Sequence, residues 1–88
     1  MTYRIQVSGK VQGVYYREST KKKAVSLGLT GTVENLRDGD VLIITSGEQS
    51  QISQLIDWCQ DGPPQASVLK VKSERIEDHE YSGFVVKR

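Results

Sequence analysis

The chain has 88 residues and a formal net charge of +1. This is the size of one domain, spanning residues 1–88, and it leaves no room for a second. Hydrophobic residues make up 36% of the chain and charged residues 26%, which is ordinary for a soluble globular protein. A dedicated nucleic-acid-binding domain is more often strongly basic, so no nucleic-acid partner is expected.

The first part of the chain predicts a strand, a glycine-containing corner and a helix. Polar and apolar side chains alternate over Tyr3–Ser8, which is typical of a half-buried strand. The corner "SGKVQGVYYRES" follows at Ser8–Ser19. Over about Tyr16–Leu27 the apolar spacing becomes helical, and Gly28 is a favourable residue to end that helix.

The remaining chain predicts a hairpin, a second helix and further strands. The elements are, in order, a strand at Thr30–Asn35, the turn "RDGD", a strand at Val41–Ser46, a helix at Ser50–Gln60, a strand at Ser67–Ile76, a charged loop at Glu77–Glu80 and a short edge strand in "GFVVK". The Asp-Gly pair is typical of a hairpin turn. The continuous apolar run "VLIITS" indicates a central strand.

The order of these elements predicts the fold class. A β-α-β-β-α-β order is that of the ferredoxin-like α+β sandwich. We therefore expect an antiparallel sheet of four to five strands with both helices packed on one face.

The glycine-containing corner admits two interpretations. Gly9 and Gly13 allow the backbone to bend tightly, so that successive N–H groups can converge on an anion at the start of the following helix. Arg17 can add a bidentate guanidinium to the same anion, and a phosphate group fits such an arrangement. Alternatively, the glycines only form a turn and the arginine is solvated. The spacing does not fit the Walker A or the dinucleotide-binding motif.

Two stretches of the chain resemble the two signatures of the acylphosphatase family. The first is "VSGKVQGVYYR" at Val7–Arg17, and the second is "GTVENLRDGDVLIITSG" at Gly31–Gly47. Within the second, the residues at the family's spacing are Gly31, Asn35, Gly39, Val41 and Gly47. The resemblance covers essentially the whole chain and implies the ferredoxin-like fold that the element order predicts independently.

The resemblance also implies an activity and a set of site residues. Acylphosphatases hydrolyse the carboxyl–phosphate bond of acyl phosphates to a carboxylate and inorganic phosphate. The phosphate-binding residues that it implies are Gly9, Lys10, Val11, Gln12, Gly13, Val14, Tyr15 and Arg17. Arg17 and Asn35 are implied as the catalytic residues, with Asn35 orienting the attacking water. No cofactor and no metal are implied, because positioning and charge stabilisation are most of what phosphoryl transfer to water asks of a protein.

Three positions depart from the family pattern. Tyr16 stands where the family usually has phenylalanine, Thr32 where an aromatic residue is usual, and Glu34 where a basic or neutral residue is usual. Neighbouring residues on a strand point to opposite faces, so Glu34 is expected to point away from Asn35. Tyr16 is a mild change, and Glu34 is expected to affect substrate preference or rate more than the existence of activity.

Other candidate residues carry simpler interpretations. His79 lies in a charged segment and is expected to be a solvated loop residue, while Cys59 lies on the apolar stripe of the second helix and is expected to be a buried thiol. One cysteine excludes an intramolecular disulfide. Lys21–Lys23 is expected to be a solvated helix face that can also attract anionic substrates.

A non-catalytic binding module is the alternative function. Ferredoxin-like domains also bind RNA through aromatic residues on the open sheet face, and "SGFVVK" at Ser82–Lys87 faintly resembles one such motif, although not on the strand where it belongs. A small-anion-binding domain is a second non-enzyme possibility. No signal peptide and no apolar run of membrane-spanning length are seen. A cytoplasmic location is therefore expected, and the small size and the lack of a coiled-coil pattern favour a monomer.

Overall fold

The computed structural model describes all residues, 1–88. Its elements are β1 (Thr2–Lys10), α1 (Tyr16–Ser26), β2 (Thr30–Asn35), β3 (Val41–Ser46), α2 (Gln49–Cys59), β4 (Ser67–Ile76) and β5 (Phe84–Lys87). Each predicted element is confirmed, with its ends within two residues of the prediction. None of the helices has the length and apolar character needed to cross a membrane.

The five strands form one sheet in the order β4-β1-β3-β2-β5. β3 lies in the middle, as its apolar run predicts. β1 pairs antiparallel with β3 and β4, and β2 pairs antiparallel with β3. The turn between β2 and β3 closes through the backbone bond from Leu36 N–H to the Asp40 carbonyl, with Gly39 at φ 98°. The predicted ferredoxin-like fold is confirmed.

The fifth strand corrects one detail, because β5 pairs parallel with β2 and the sheet is mixed rather than wholly antiparallel. The connection after β4 crosses one end of the sheet, so β5 runs in the opposite direction to β4. This is the same direction as β2, which β5 pairs with. His79 holds this crossing segment in place, since its N–H donates to Thr2 Oγ1 at 2.9 Å and its carbonyl accepts from Ser46 Oγ at 2.6 Å. His79 thus holds the crossing segment through its backbone N–H and carbonyl groups.

The hydrophobic core lies between the sheet and the two helices. Alternate residues of the strands are fully buried on that face, including Ile5, Val7, Val33, Val41 and Ile43. Ala24 of α1 and three apolar residues of α2, namely Ile52, Leu55 and Cys59, pack against them. This packing fixes the start of α1 beside the end of β2, which is where the candidate site lies.

Candidate active site

The loop between β1 and α1 is fixed by its side chains and leaves its amides free. Val11 and Val14 are only 1% and 4% exposed, so both are anchored in the core. None of the backbone N–H groups from Gln12 to Tyr15 donates a hydrogen bond to another group of the protein. The first-turn amides of α1 add further donors, because they have no partner within a helix. The loop therefore presents a run of unpaired donors at a positive helix end, which suits an anion.

Gln12 attaches this loop to the β2–β3 hairpin. Its Nε2 donates to the carbonyl of Leu36 at 2.8 Å and to that of Asp40 at 2.9 Å. The Asp40 carboxylate in turn accepts bonds from the side chains of Gln6 at 2.7 Å and Ser8 at 3.1 Å. These bonds consequently fix the position of the loop relative to β2, the strand that carries Asn35.

The first two residues of the predicted phosphate-binding loop, Gly9 and Lys10, lie in strand β1 instead. They pair with Val68 and Ser67 of β4 after a bulge that begins at Ser8. A side-chain Cβ at Gly9 would overlap the carbonyl oxygen of Ser67, so glycine is needed here for the close approach of two strands. The loop proper is shorter than predicted and spans residues 11–15.

Arg17 lies in the first turn of α1. Its Nη1 donates to the carbonyl of Lys87 at 3.1 Å, which connects the guanidinium to the end of β5. The neighbouring Glu18 carboxylate forms an ion pair with Arg88. Neither Glu18 nor Arg88 could be recognised from the sequence, because 70 residues separate them along the chain.

Asn35 is the last residue of β2 and faces the same region. Its Oδ1 is buried and accepts no hydrogen bond. Such unpartnered buried polar atoms are few in native proteins and call for a reason. A free amide oxygen beside a loop of unpaired N–H groups is suited to holding a water molecule.

A single cleft brings these groups together. Its volume is about 500 Å³, and its lining residues are Val11, Gly13, Tyr15, Tyr16, Arg17, Glu18, Asn35 and Arg88. The structure thus places the predicted residues Arg17 and Asn35 at one site with three residues of the loop. Gly9, Lys10, Gln12 and Val14 are not among the residues that line it.

Tyr16 is buried and its hydroxyl is hydrogen-bonded to α2. The residue is 1% exposed, its hydroxyl donates to the carbonyl of Cys59 at 2.8 Å, and its ring lies 5.5 Å from that of Trp58. Burial raises the pKa of Tyr16, so the phenol stays neutral. The oxygen that phenylalanine would lack is therefore bound at the end of α2.

The other two departures lie on the opposite face of β2 from Asn35. Thr32 pairs with Ile44 of β3 and Val85 of β5. The carboxylate of Glu34 lies 3.6 Å from the Lys87 ammonium, so its negative charge is compensated.

Cys59 is fully buried, as its place on the apolar stripe predicts. Burial raises the pKa of its thiol to about 12. A neutral and inaccessible thiol does not serve as a nucleophile. Lys21 and Lys22 are exposed and Lys23 is half-buried, which fits a solvated helix face.

The open face of the sheet does not provide an aromatic platform. The central strands β1 and β3 present Arg4, Gln6, Leu42 and Ile44 on the face away from the helices. Stacking of RNA bases on a ferredoxin-like sheet uses aromatic residues at such positions. The structure therefore gives no support to the RNA-binding alternative.

Fold and cleft define an α+β protein of the ferredoxin-like class, whose cleft lies beside the start of the first helix and is lined by two arginines and an asparagine. The Acylphosphatase family model matches residues 3–86, and the chain belongs to the acylphosphatase family of hydrolases. An acylphosphatase from Coxiella burnetii (strain RSA 493 / Nine Mile phase I) is 51% identical over 83 residues, which cover 94% of this chain and 87% of the relative.

Two solved structures agree with this assignment. The structure of an acylphosphatase from Coxiella burnetii superposes with a TM-score of 0.95 at 49% identity and covers 98% of this chain and 90% of the other. The crystal structure of acylphosphatase from Bacillus subtilis gives a TM-score of 0.94 at 27% identity, with 99% and 98% covered. The likeness therefore extends over nearly the full length of each chain.

Proposed function

We propose that this chain hydrolyses the carboxyl–phosphate bond of small acyl phosphates, releasing a carboxylate and inorganic phosphate. Family membership supports the reaction class. The observation that carries the mechanism is the single cleft in which the loop amides, Arg17 and Asn35 meet. Residues 1–88 act as one catalytic unit in this proposal.

The loop and Arg17 bind the phosphoryl group. The free amides from Gln12 to Tyr15 and those of the first helical turn donate to its oxygens. The Arg17 guanidinium supplies the compensating positive charge in a planar, bidentate form. Its bond to the Lys87 carbonyl limits its freedom before substrate arrives, so less conformational entropy is lost on binding.

Asn35 orients the water that attacks phosphorus. Its unpartnered Oδ1 accepts a hydrogen bond from that water, and an oxygen of the substrate phosphate accepts the proton as the P–O bond to the carboxylate breaks. A carboxylate is a good leaving group, so no strong protein acid is required. Positioning and electrostatic stabilisation account for the catalysis, and the loss of one such preorganised hydrogen-bonding group costs on the order of 10²–10³ in rate.

The enzyme is proposed to need no metal, no cofactor and no nucleic-acid partner, and to act as a monomer. A cytoplasmic location stays a prediction from the sequence. Phosphate binding without turnover is the remaining non-catalytic alternative, since the same loop can hold an anion without hydrolysing a substrate.

The test is hydrolysis of benzoyl phosphate in the presence of a chelator. We expect turnover that the chelator leaves unchanged and that inorganic phosphate inhibits. Arg17→Ala should weaken phosphate inhibition and lower kcat/KM together, whereas Asn35→Ala should lower kcat on the order of 10²–10³ with phosphate inhibition nearly intact.

Two control variants separate these effects from general ones. Arg75→Ala removes an exposed arginine of β4, and Gln54→Ala removes an exposed amide of α2; both should behave as the wild type. A folded wild type that binds phosphate and shows no turnover would sink the enzymatic proposal and leave the anion-binding alternative.

A further inference from the structure

Tyr15 adopts a backbone conformation that is costly for a tyrosine. Its φ of 63° and ψ of 24° lie in the left-handed region. It is the one non-glycine residue of the chain with positive φ. The other positive-φ positions are all glycine, namely Gly9, Gly13, Gly28, Gly31, Gly39, Gly62 and Gly83. A side chain at such a position destabilises the backbone relative to glycine.

The side chain of Tyr15 makes no contact in the protein that offsets this cost. It is 76% exposed. Neither aromatic pair of the structure includes it, since these are Tyr16 with Trp58 and His79 with Tyr81. Its hydroxyl takes part in no hydrogen bond, whereas the hydroxyl of the next residue is bound to Cys59. Folding therefore gives no reason for an aromatic residue at this point.

The ring is nevertheless placed at the candidate active site. The other apolar residues that line the cleft, Val11 and Tyr16, are each 1% exposed. The other exposed large apolar residues, Val25, Leu69 and Val85, do not line it. Tyr15 is thus the one exposed residue among the three apolar residues that line the cleft.

We propose that the Tyr15 ring contacts the acyl group of the substrate and favours acyl phosphates with an aromatic acyl group. This inference rests on the proposed function. When the loop amides hold the phosphoryl group, the acyl group must project outward past the loop, where the ring lies. A planar aryl group can stack on this ring and a methyl group cannot, so the preference falls on aryl over small alkyl substrates.

The test is the ratio of kcat/KM for benzoyl phosphate to kcat/KM for acetyl phosphate in each variant. Tyr15→Gly removes the ring and suits the positive φ, and Tyr15→Asn is a second variant that tolerates this backbone. We expect both to lower the ratio by about tenfold, and Tyr15→Phe to keep it within about twofold. Leu69→Ala, which trims an exposed apolar residue away from the cleft, should leave it unchanged.

The ratio distinguishes the two ways of failing. A general distortion of the loop slows both substrates and cancels in the ratio. If the wild type hydrolyses both substrates and the glycine and asparagine variants keep its ratio, the role of Tyr15 is overturned while the proposed function holds. If the wild type hydrolyses neither substrate, the proposed function fails and this inference fails with it.

Discussion

Glu18 brings a negative charge to a cleft that is proposed to bind an anion. In the first turn of α1 a carboxylate is favourable for the helix, because the N-terminal end carries partial positive charge. Beside a bound phosphate it is unfavourable. The ion pair with Arg88 reconciles the two, since it neutralises the carboxylate where it faces the cleft. Both side chains are more than half exposed, so the pair itself adds little to stability.

Removing Arg88 should therefore affect anion binding more than folding. We expect Arg88→Ala to raise the inhibition constant of inorganic phosphate about threefold at low salt, because the Glu18 charge is no longer compensated. The increase should shrink in high salt. Phosphate inhibition measured at two ionic strengths checks this expectation.

A double-mutant cycle identifies the reason for any change. If Arg88 acts by neutralising Glu18, then Arg88→Ala should have little effect on the inhibition constant of phosphate in a protein that already carries Glu18→Gln. An equal effect in both backgrounds would contradict this explanation and would mean that Arg88 acts directly on the anion.

At the scale of elements, the attachment of the loop to the β2–β3 hairpin sets the geometry of the site. Gln12 makes this attachment through two backbone carbonyls. In the proposed mechanism Arg17 and Asn35 act together from different elements, so a shift of about 1 Å between them is enough to reduce catalysis strongly. The Gln12 side chain thus helps to fix the distance between Arg17 and Asn35 on which the proposed mechanism depends.

Replacing Gln12 by methionine keeps the side-chain length and removes both bonds. We expect Gln12→Met to lower the free energy of unfolding by about 1–2 kcal/mol, at about 1 kcal/mol for each lost hydrogen bond. We also expect kcat/KM for benzoyl phosphate to fall about tenfold. Urea denaturation and steady-state kinetics measure the two effects.

Gln54→Met is the matched control, because Gln54 is an exposed residue of α2 whose side chain makes one long bond of 3.3 Å to the Ser50 carbonyl. It should change neither quantity appreciably. A normal kcat/KM in Gln12→Met would show that the loop holds its position without the hairpin.

The elements could be predicted from the sequence because their signals are local. The alternation over Tyr3–Ser8 and the apolar run of Val41–Ser46 each report which face a strand buries. The direction of β5 could not be predicted in this way, since it depends on a segment that crosses the sheet and is held by His79. The place of Gly9 in a bulge likewise depends on β4, which is distant in sequence.

At the scale of the whole molecule, one part of the candidate site could be predicted from the sequence and another part could not. That Arg17 and Asn35 line one cleft could be predicted because each lies in a recognisable stretch of sequence, and their roles stay predictions. The ion pair of Glu18 with Arg88 could not, because only the folded chain brings β5 beside α1. The positive φ of Tyr15 could not be predicted from the sequence either, since the conformation of the whole loop sets this backbone angle.

The packing of α1 on α2 buries two groups that lose protons only at high pH. The hydroxyl of Tyr16 donates to the Cys59 carbonyl, and the side chains of both residues are inaccessible. Burial raises the pKa of the Cys59 thiol from its ordinary value of 9.0 to about 12 and raises the pKa of Tyr16 above its ordinary value of 10.0. Above pH 9 the unfolded chain therefore releases protons that the folded chain retains.

The free energy of unfolding should be insensitive to these two groups below about pH 8 and should fall as the pH rises from about 9 toward 12. For Cys59 the decrease is about 1.4 kcal/mol per pH unit within that window. Cys59→Ser provides the comparison, because serine does not titrate there, and titration of surface lysines and tyrosines is common to both proteins. Urea denaturation at about pH 8 and pH 10 should show a decrease about 1.4 kcal/mol larger in the wild type than in the variant. Equal decreases would mean that the thiol ionises in the folded chain as readily as in the unfolded one, and that the contact between α1 and α2 admits water.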